Sequence, residues 1–240
     1  MKTAIVIAGN VRTWSQTKEN FIKTFAPLDA DIFVSTYNVM NSFHHVVASR
    51  HNAFEDFFLE KEKIVEMFSD LKLANILVED LGEVNNILRE EDTKFHPLLQ
   101  NLHANCYGQT RKIKQGFDMI KDHEEKNGFK YDRIIKTRSD LVYNDNLDFS
   151  VAENNLVFAE STNNPGSEYP CDHILMGTRE TMFKLVDFMY NEFYNPVYDD
   201  SQNLPPHGFI RNAIRYHNFG RSPRYLVNYI LRGDGFHQTI

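Results

Sequence analysis

Short apolar runs alternate with longer segments of helical periodicity along most of this chain. The apolar runs are Thr3–Ala8, Asp31–Thr36, Asn75–Val78, Tyr131–Thr137 and Asn155–Glu160. Between them, apolar residues recur at the spacing of a buried helix face. Strands that alternate with helices in this way are typical of a parallel sheet covered by helices on both faces. The sequence therefore predicts an α/β fold with a mostly parallel central sheet flanked by helices.

Several helices can be predicted from capping residues and apolar periodicity. Thr13-x-x-Gln16 predicts a capping box at the start of the first helix. A long helix is expected over Leu98–His123, and Thr178 is expected to cap a later one. Leu81–Pro97 is charged and is expected to be mostly loop. One further helix is expected where six apolar residues recur at helical spacing: Phe54, Phe57, Phe58, Ile64, Phe68 and Leu71.

Length and charge restrict the class of protein. The 240 residues, 42% of them hydrophobic, suit one domain spanning residues 1–240. The formal net charge of -7 argues against nucleic acid as a partner, because a general nucleic-acid binder presents a basic face to the phosphates. The segment from about Pro205 is nevertheless basic, with five Arg, no Lys and one acid. It fits a helix over about Gly208–His217 with solvated Arg residues, or a surface for a pyrophosphate, an anionic acceptor or lipid headgroups.

Two features bear on the compartment. Cys106 and Cys171 are the only cysteines, too few for a disulfide framework, so a reducing compartment is expected. No apolar stretch approaches the roughly 18 consecutive residues that span a bilayer. The sequence therefore predicts a cytoplasmic protein without a transmembrane segment, and leaves open a peripheral membrane contact through the Arg-rich C-terminal segment.

Polar residues directly after strands are the first candidates for a binding site, because open α/β sheets bind ligands at the carboxyl ends of their strands. Gly9-Asn10-Val11-Arg12 follows the first strand. Its glycine lets the backbone approach a ligand, and Arg12 offers a planar donor fork beside a helix N-terminus. The alternative is an ordinary strand-to-helix turn. The segment matches neither the dinucleotide fingerprint nor the Walker motif.

Arg138-Ser139-Asp140 follows the strand Tyr131–Thr137. A carboxylate at this place can bind a divalent cation or a sugar hydroxyl, and Arg138 can neutralise phosphate. The alternative is an internal ion pair from Arg138 to Asp140 or to Asp145.

Two more segments carry candidate residues. Asp172 precedes the short predicted strand His173–Met176, where it is either a general base or a common turn residue. Near the C-terminus, His237 follows Asp234 and its two flanking glycines. That segment is a candidate metal or phosphate contact, with a frayed tail as the alternative.

The order of these pieces resembles that of GT-A-type glycosyltransferases that build bacterial or viral surface polysaccharides. The similarity covers the chain to about Tyr190, and its first segment is similar to the SGQxRT opening of that family. The matching segments are Ala4–Trp14, Ala30–Tyr37, the helix with Tyr107 and Gln109, Tyr131–Leu141 and Asp172–Gly177.

The resemblance implies a GT-A-like, Rossmann-like fold and the transfer of a sugar from a UDP- or GDP-sugar to a hydroxyl of a glycan or glycoconjugate acceptor. If the reaction inverts the anomeric centre, Asp172 is the expected catalytic base, with Glu160 second. The residues expected to bind the nucleotide-sugar donor are Gly9, Asn10, Arg12, Gln109, Arg138 and Asp140.

The resemblance also implies a divalent cation, Mn²⁺ or Mg²⁺, that stabilises the leaving diphosphate, with Asp140 and His237 as its candidate ligands. The sequence departs from the family at two places. Arg138 stands where the first Asp of the Asp-x-Asp motif is expected, so that its charge could replace part of the metal's. His207 follows Pro205-Pro206, where relatives often carry Glu.

Two alternatives to a glycosyltransferase differ in their sequence requirements. A nucleotidyltransferase normally needs a longer Gly-rich loop after the first strand than Gly9–Arg12 provides. A catalytically silent glycan-binding or scaffolding protein with the same fold is compatible with Arg138 in place of the acid.

Overall fold

The computed structural model describes residues 1–11, 13–40, 57–95, 104–145, 147–159, 170, 172–197, 207–224, 227–231 and 237–239. The strands are β1 (Thr3–Ala8), β2 (Asp31–Tyr37), β3 (Val39–Met40), β4 (Phe57–Phe58), β5 (Leu73–Glu79), β6 (Arg133–Thr137), β7 (Leu141–Tyr143), β8 (Asn155–Ala159), β9 (Leu175–Thr178), β10 (Gly220–Arg224), β11 (Val227–Leu231) and β12 (His237–Thr239). The helices are α1 (Trp14–Phe25), α2 (Lys61–Met67), α3 (Leu81–Asp92), α4 (Ala104–Asn127), α5 (Arg179–Asn191) and α6 (His207–His217).

A seven-stranded sheet forms the centre of the molecule, in the order β10-β8-β9-β6-β1-β2-β5. β1 pairs in parallel with β2 and β6, β2 with β5, and β8 with β10. β9 runs antiparallel to both of its neighbours. The predicted α/β fold with a mostly parallel central sheet flanked by helices is therefore confirmed. A smaller antiparallel sheet has the order β12-β11-β7.

The strands of the sheet bury side chains on both faces, which explains their nearly continuous apolar sequence. In β1, Ala4, Val6 and Ala8 belong to one core cluster and Ile5 and Ile7 to the other. The first cluster includes residues of α3, α4, α5 and α6, and the second includes residues of α1, α2 and β7. The two faces of the sheet are thus covered by different helices.

Helix α4 packs closely against the central strand β1. A Cβ added at Gly116 would lie 2.3 Å from Cγ1 of Val6. Because this approach needs a residue without a side chain, Gly116 fixes the distance between α4 and the sheet. The N-terminal half of α4 thereby comes to lie over the carboxyl ends of the central strands.

The structure differs from two of the predictions for the first half of the chain. Phe57–Phe58 forms strand β4 against β3, so the helix predicted from the apolar residues between Phe54 and Leu71 is confined to Lys61–Met67, and Phe54 lies outside the described residues. Leu81–Asp92 is a helix, not a loop: Leu81, Val84 and Leu88 are buried at helical spacing, and Asp80 caps the first turn by accepting from the Glu83 N–H. Charged residues on its exposed face obscured this periodicity.

Two predicted caps have different outcomes. Thr13 precedes α1 but its side chain makes no capping hydrogen bond, so the predicted capping box is wrong. Thr178 caps α5 as predicted, and its side chain accepts from the Thr181 N–H. None of the helices in the described ranges is long and apolar enough to cross a membrane.

Candidate functional site

The strand order places a crevice between the carboxyl ends of β1 and β6. From β1 the chain continues to β2 and β5 on one side, and only then adds β6 on the other side of β1. Ligands of open α/β sheets bind at such a reversal of direction, because the connections leave the sheet on opposite faces and open a gap between them. Gly9–Asn10 and Arg138–Asp140, predicted from sequence, follow these two strands.

The first side of the crevice is the turn after β1. Gly9 has a φ of +114°, which favours glycine, and no described atom lies within 4 Å of the position of an added Cβ. The carbonyl oxygen of Asn10 accepts from the Ser139 hydroxyl at 2.6 Å, so the turn is tied to the opposite side. Helix α1 begins just beyond, with no acidic residue in its first turn. Arg12, which is predicted to bind the nucleotide-sugar donor, lies outside the described residues.

The second side is dominated by an ion pair. The Arg138 guanidinium donates from Nε to Oδ1 of Asp140 at 2.9 Å, and from a terminal nitrogen to Oδ2 at 2.6 Å. Asp140 is buried, with 2% of its surface exposed, and the Arg138 side chain is 15% exposed. Asp145 bonds instead to Lys23 on α1, at 2.7 Å. Of the two partners predicted for Arg138 in an internal pair, the structure therefore selects Asp140.

Asp172 lies at the same edge because β9 is antiparallel to β6, so that the start of β9 meets the end of β6. Lys136 of β6 is the register partner of Leu175 of β9. The Asp172 carboxylate is buried and accepts from the Gln109 side chain of α4 at 2.5 Å. His207 of α6 approaches it, with Nε2 3.5 Å from Oδ1. Gln109 and Asp172, predicted at separate subsites, are therefore in direct contact.

The charge of Asp172 is maintained by its neighbours. Burial alone would raise the pKa of this carboxyl, but nearby positive charge, that of Lys136 first, holds it well below its usual range. A carboxylate with so low a pKa stays ionised and is a weak proton acceptor. The site therefore suits an anion that orients a hydroxyl better than a strong general base.

The two histidines beside Asp172 contribute differently. Burial lowers the pKa of His173 to about 3, so this imidazole is neutral at ordinary pH. His207 lies with Nδ1 2.9 Å from the carbonyl oxygen of Pro170 and Nε2 toward Asp172. Both ring nitrogens of His207 are thus directed at protein groups, and the ring links α6 to the segment that carries Asp172.

The described residues do not fit a bound divalent cation. Both carboxylate oxygens of Asp140 accept bonds from Arg138. No group of three or more His, Cys, Asp or Glu that could hold an ion occurs in the described part of the chain. Glu160 and the side chain of His237 lie outside it, and the described backbone at His237 belongs to β12, in the smaller sheet. The predicted roles of these two residues stay predictions.

Lys136 is a residue of this site that the sequence analysis missed. It is fully buried in β6, and its ammonium donates to the carbonyl oxygen of Asp172. A signal was present in the sequence, since a lysine at the penultimate position of a central, mostly apolar strand is costly unless its charge has a partner.

Comparisons with known proteins find similarity in structure but not in sequence. No protein-family model matches the chain, and no curated protein matches it. Among solved structures, the galactosyltransferase LgtC in complex with donor and acceptor sugar analogs is similar, at 11% sequence identity and a TM-score of 0.43. The alignment covers 92% of this chain and 72% of that chain.

Proposed function

We propose that this chain is a nucleotide-sugar-dependent glycosyltransferase that transfers a sugar from a UDP- or GDP-sugar to a hydroxyl of a glycan or glycoconjugate. One observation carries the proposal: the crevice between β1 and β6 brings together the segments that resemble the family's donor site. Gly9–Asn10 lies on one side of it and Arg138–Asp140 on the other. The resemblance of the sequence pattern supports this reaction, and we propose that it takes place in the crevice.

The diphosphate of the donor would lie between the turn after β1 and Arg138. Gly9 leaves room for close approach of the backbone, and the N-terminus of α1 favours an anion. Arg138 supplies a guanidinium whose donor fork matches phosphate oxygens, while Asp140 fixes its orientation. This arrangement stabilises negative charge on the leaving diphosphate through the protein's own residues.

The acceptor would lie on the side of Asp172. Its carboxylate stays ionised and can accept a hydrogen bond from the attacking hydroxyl, while Gln109 limits its rotation. We assign it an orienting role because its low pKa weakens it as a proton acceptor. The stereochemistry of the transfer would follow from whether another group takes the proton, with Glu160 the candidate for an inverting reaction.

The same proposal includes the setting of the reaction. We place it in the cytoplasm, because two cysteines in 240 residues fit a reducing compartment. Residues 1–240 would act as one domain, and the basic segment from about Pro205 would approach anionic lipid headgroups or an anionic acceptor. Surface polysaccharide is the proposed product class.

The first experiment is a thermal-shift panel with UDP, GDP, CMP and dTDP, each with Mn²⁺ and with a chelator. A nucleotide at 100 times its dissociation constant stabilises the native state by about 2.7 kcal/mol, which a melting curve detects. The matching UDP- or GDP-sugar is then incubated with glycan acceptors, and product is detected by mass spectrometry. We expect transfer by the wild-type protein and its loss in Asp172→Asn.

Asp145→Asn is the matched control, because it removes an exposed carboxylate whose partner, Lys23, is exposed as well. It should retain wild-type transfer. Nucleotide binding without turnover on any acceptor would favour the catalytically silent glycan-binding protein. Absence of binding to every nucleotide would contradict the proposed donor class.

A further inference from the structure

Lys136 occupies a position where an apolar residue would be expected. β6 lies between β1 and β9. The register partner of Lys136 is Val6 in β1 and Leu175 in β9. Its neighbours Ile134 and Ile135 are fully buried, as is Lys136 itself. Removing an ammonium group from water is unfavourable unless hydrogen bonds and opposite charges compensate. A lysine in this strand therefore needs a reason beyond packing.

The reason lies in the contact that Lys136 makes. Its ammonium donates to the carbonyl oxygen of Asp172, across the pair of strands β6 and β9. The carboxylate of the same residue is held from the other side by Gln109, at 2.5 Å. Backbone and side chain of Asp172 are thus fixed by two different elements, β6 and α4.

We propose that Lys136 is a positioning residue, which fixes the Asp172 carboxylate at the crevice by holding the backbone of that residue to β6. Lys136 is 0% exposed and cannot itself contact a donor or acceptor. Its influence on the reaction passes through Asp172. The inference rests on the proposed function in one respect, namely that Asp172 faces the acceptor.

The charge of Lys136 gives this role a measurable signature. After the opposing effect of burial, Lys136 is the first influence that lowers the pKa of Asp172. A depressed carboxyl pKa keeps the anion present down to low pH, so removing the ammonium raises the pH at which the anion is lost. A nearby opposite charge displaces such a midpoint by about one to three pH units.

The test compares Lys136→Met with Lys112→Met. Both lysines are fully buried. Lys112 lies in α4 and pairs with Glu79, the last residue of β5. We expect Lys136→Met to lower kcat about tenfold to a hundredfold with donor KM unchanged, because displacing a group that orients a reactant slows the reaction. We also expect the acid limb of the pH–activity profile of Lys136→Met to move to higher pH. Lys112→Met should change neither kcat nor the acid limb.

A second variant separates the bond from the charge. Lys136→Gln keeps an N–H donor but no charge, so we expect recovery of part of kcat with the acid limb still displaced. It also serves if Lys136→Met does not fold. Equal pH profiles in wild type, Lys136→Gln and Lys112→Met would overturn the proposal and leave Lys136 a residue of the core alone.

An NMR titration of the aspartate carboxyl carbons in the unliganded protein tests the role of Lys136 independently of the proposed function. The Asp172 signal should titrate at higher pH in Lys136→Gln than in wild type. In Lys112→Met it should titrate at the same pH as in wild type. If no variant transfers sugar, wild type included, the proposed function fails, and this titration still decides whether Lys136 acts on Asp172. An unchanged Asp172 titration in Lys136→Gln would refute the inference even in an active enzyme.

Discussion

The ion pair of Arg138 and Asp140 gives an asymmetric prediction, because the two partners are buried to different extents. Asp140 is 2% exposed and the Arg138 side chain 15%. Arg138→Met removes the cation that bonds to both oxygens of a buried carboxylate, and breaking a buried pair in this way costs about 3–5 kcal/mol. Asp140→Asn leaves a guanidinium that can turn toward water and still donate to the amide oxygen. It removes one charge-assisted contact, at about 1.5–3 kcal/mol.

The free energies of unfolding can be measured by urea denaturation. Trp14 is the single tryptophan and is 1% exposed, so its fluorescence reports loss of the core around α1. At about 2–4 °C per kcal/mol for a chain of this size, Arg138→Met should also melt roughly 10 °C below wild type. Asp140→Asn should melt at an intermediate temperature.

The double variant provides the control. With both charges gone, Arg138→Met/Asp140→Asn should be more stable than Arg138→Met alone, because the buried negative charge that Arg138 compensated is removed as well. The reasoning would be refuted if Asp140→Asn destabilised the protein as much as Arg138→Met, or if the two effects simply added. Either result would mean that Asp140 is not held as a buried anion by Arg138.

Two further predictions concern the packing around the site. Gly116→Ala should destabilise the protein by up to about 2 kcal/mol. Its Cβ would lie 2.3 Å from Cγ1 of Val6, which costs about 1–3 kcal/mol, and the gain in helix propensity offsets roughly 1 kcal/mol of that cost. Urea unfolding in a Val6→Ala background should show a smaller loss, and an equal loss would contradict the clash. Burial alone would raise the pKa of Glu79, but the bonds from Arg111 and Lys112 lower it to about 2. The ionised Glu79 carboxylate therefore stabilises the fold above the ordinary pKa of glutamate, and this contribution is lost as the pH falls toward 2. Glu79→Gln should be less stable than wild type at pH 7, and the difference should shrink in acid. Urea midpoints measured across this pH range test the prediction.

The central strands could be predicted from sequence because they are apolar on both faces. β1, β2, β6 and β8 are each built around an apolar run, and the predicted limits of each lie within one or two residues of the observed ones. β10 was not expected: its sequence, Gly-Arg-Ser-Pro-Arg, carries no apolar signal, and its place depends on pairing with β8. Pairing partners are a property of the folded chain and not of a short segment.

The candidate site divides in the same way. The residues after β1 and β6 were found because strand exits mark the ligand-binding edge. The contact of Gln109 with Asp172 was not predictable, because it joins a helix to a strand of opposite direction, and that direction is not encoded in the apolar run of β9. The partner of Arg138 required the path of the backbone, since Asp140 and Asp145 are both near in sequence.

The outermost strand β10 affects how this chain behaves when crowded with copies of itself. A strand at the end of a sheet presents backbone groups to which another chain can add, which is a common start of aggregation. β10 carries Pro223, which has no N–H to donate, between Arg221 and Arg224, whose like charges repel a second copy of the same strand. Edge-to-edge addition of a second copy is therefore disfavoured at β10. Substitutions that remove Pro223 or the two arginines should lower the concentration at which the protein precipitates.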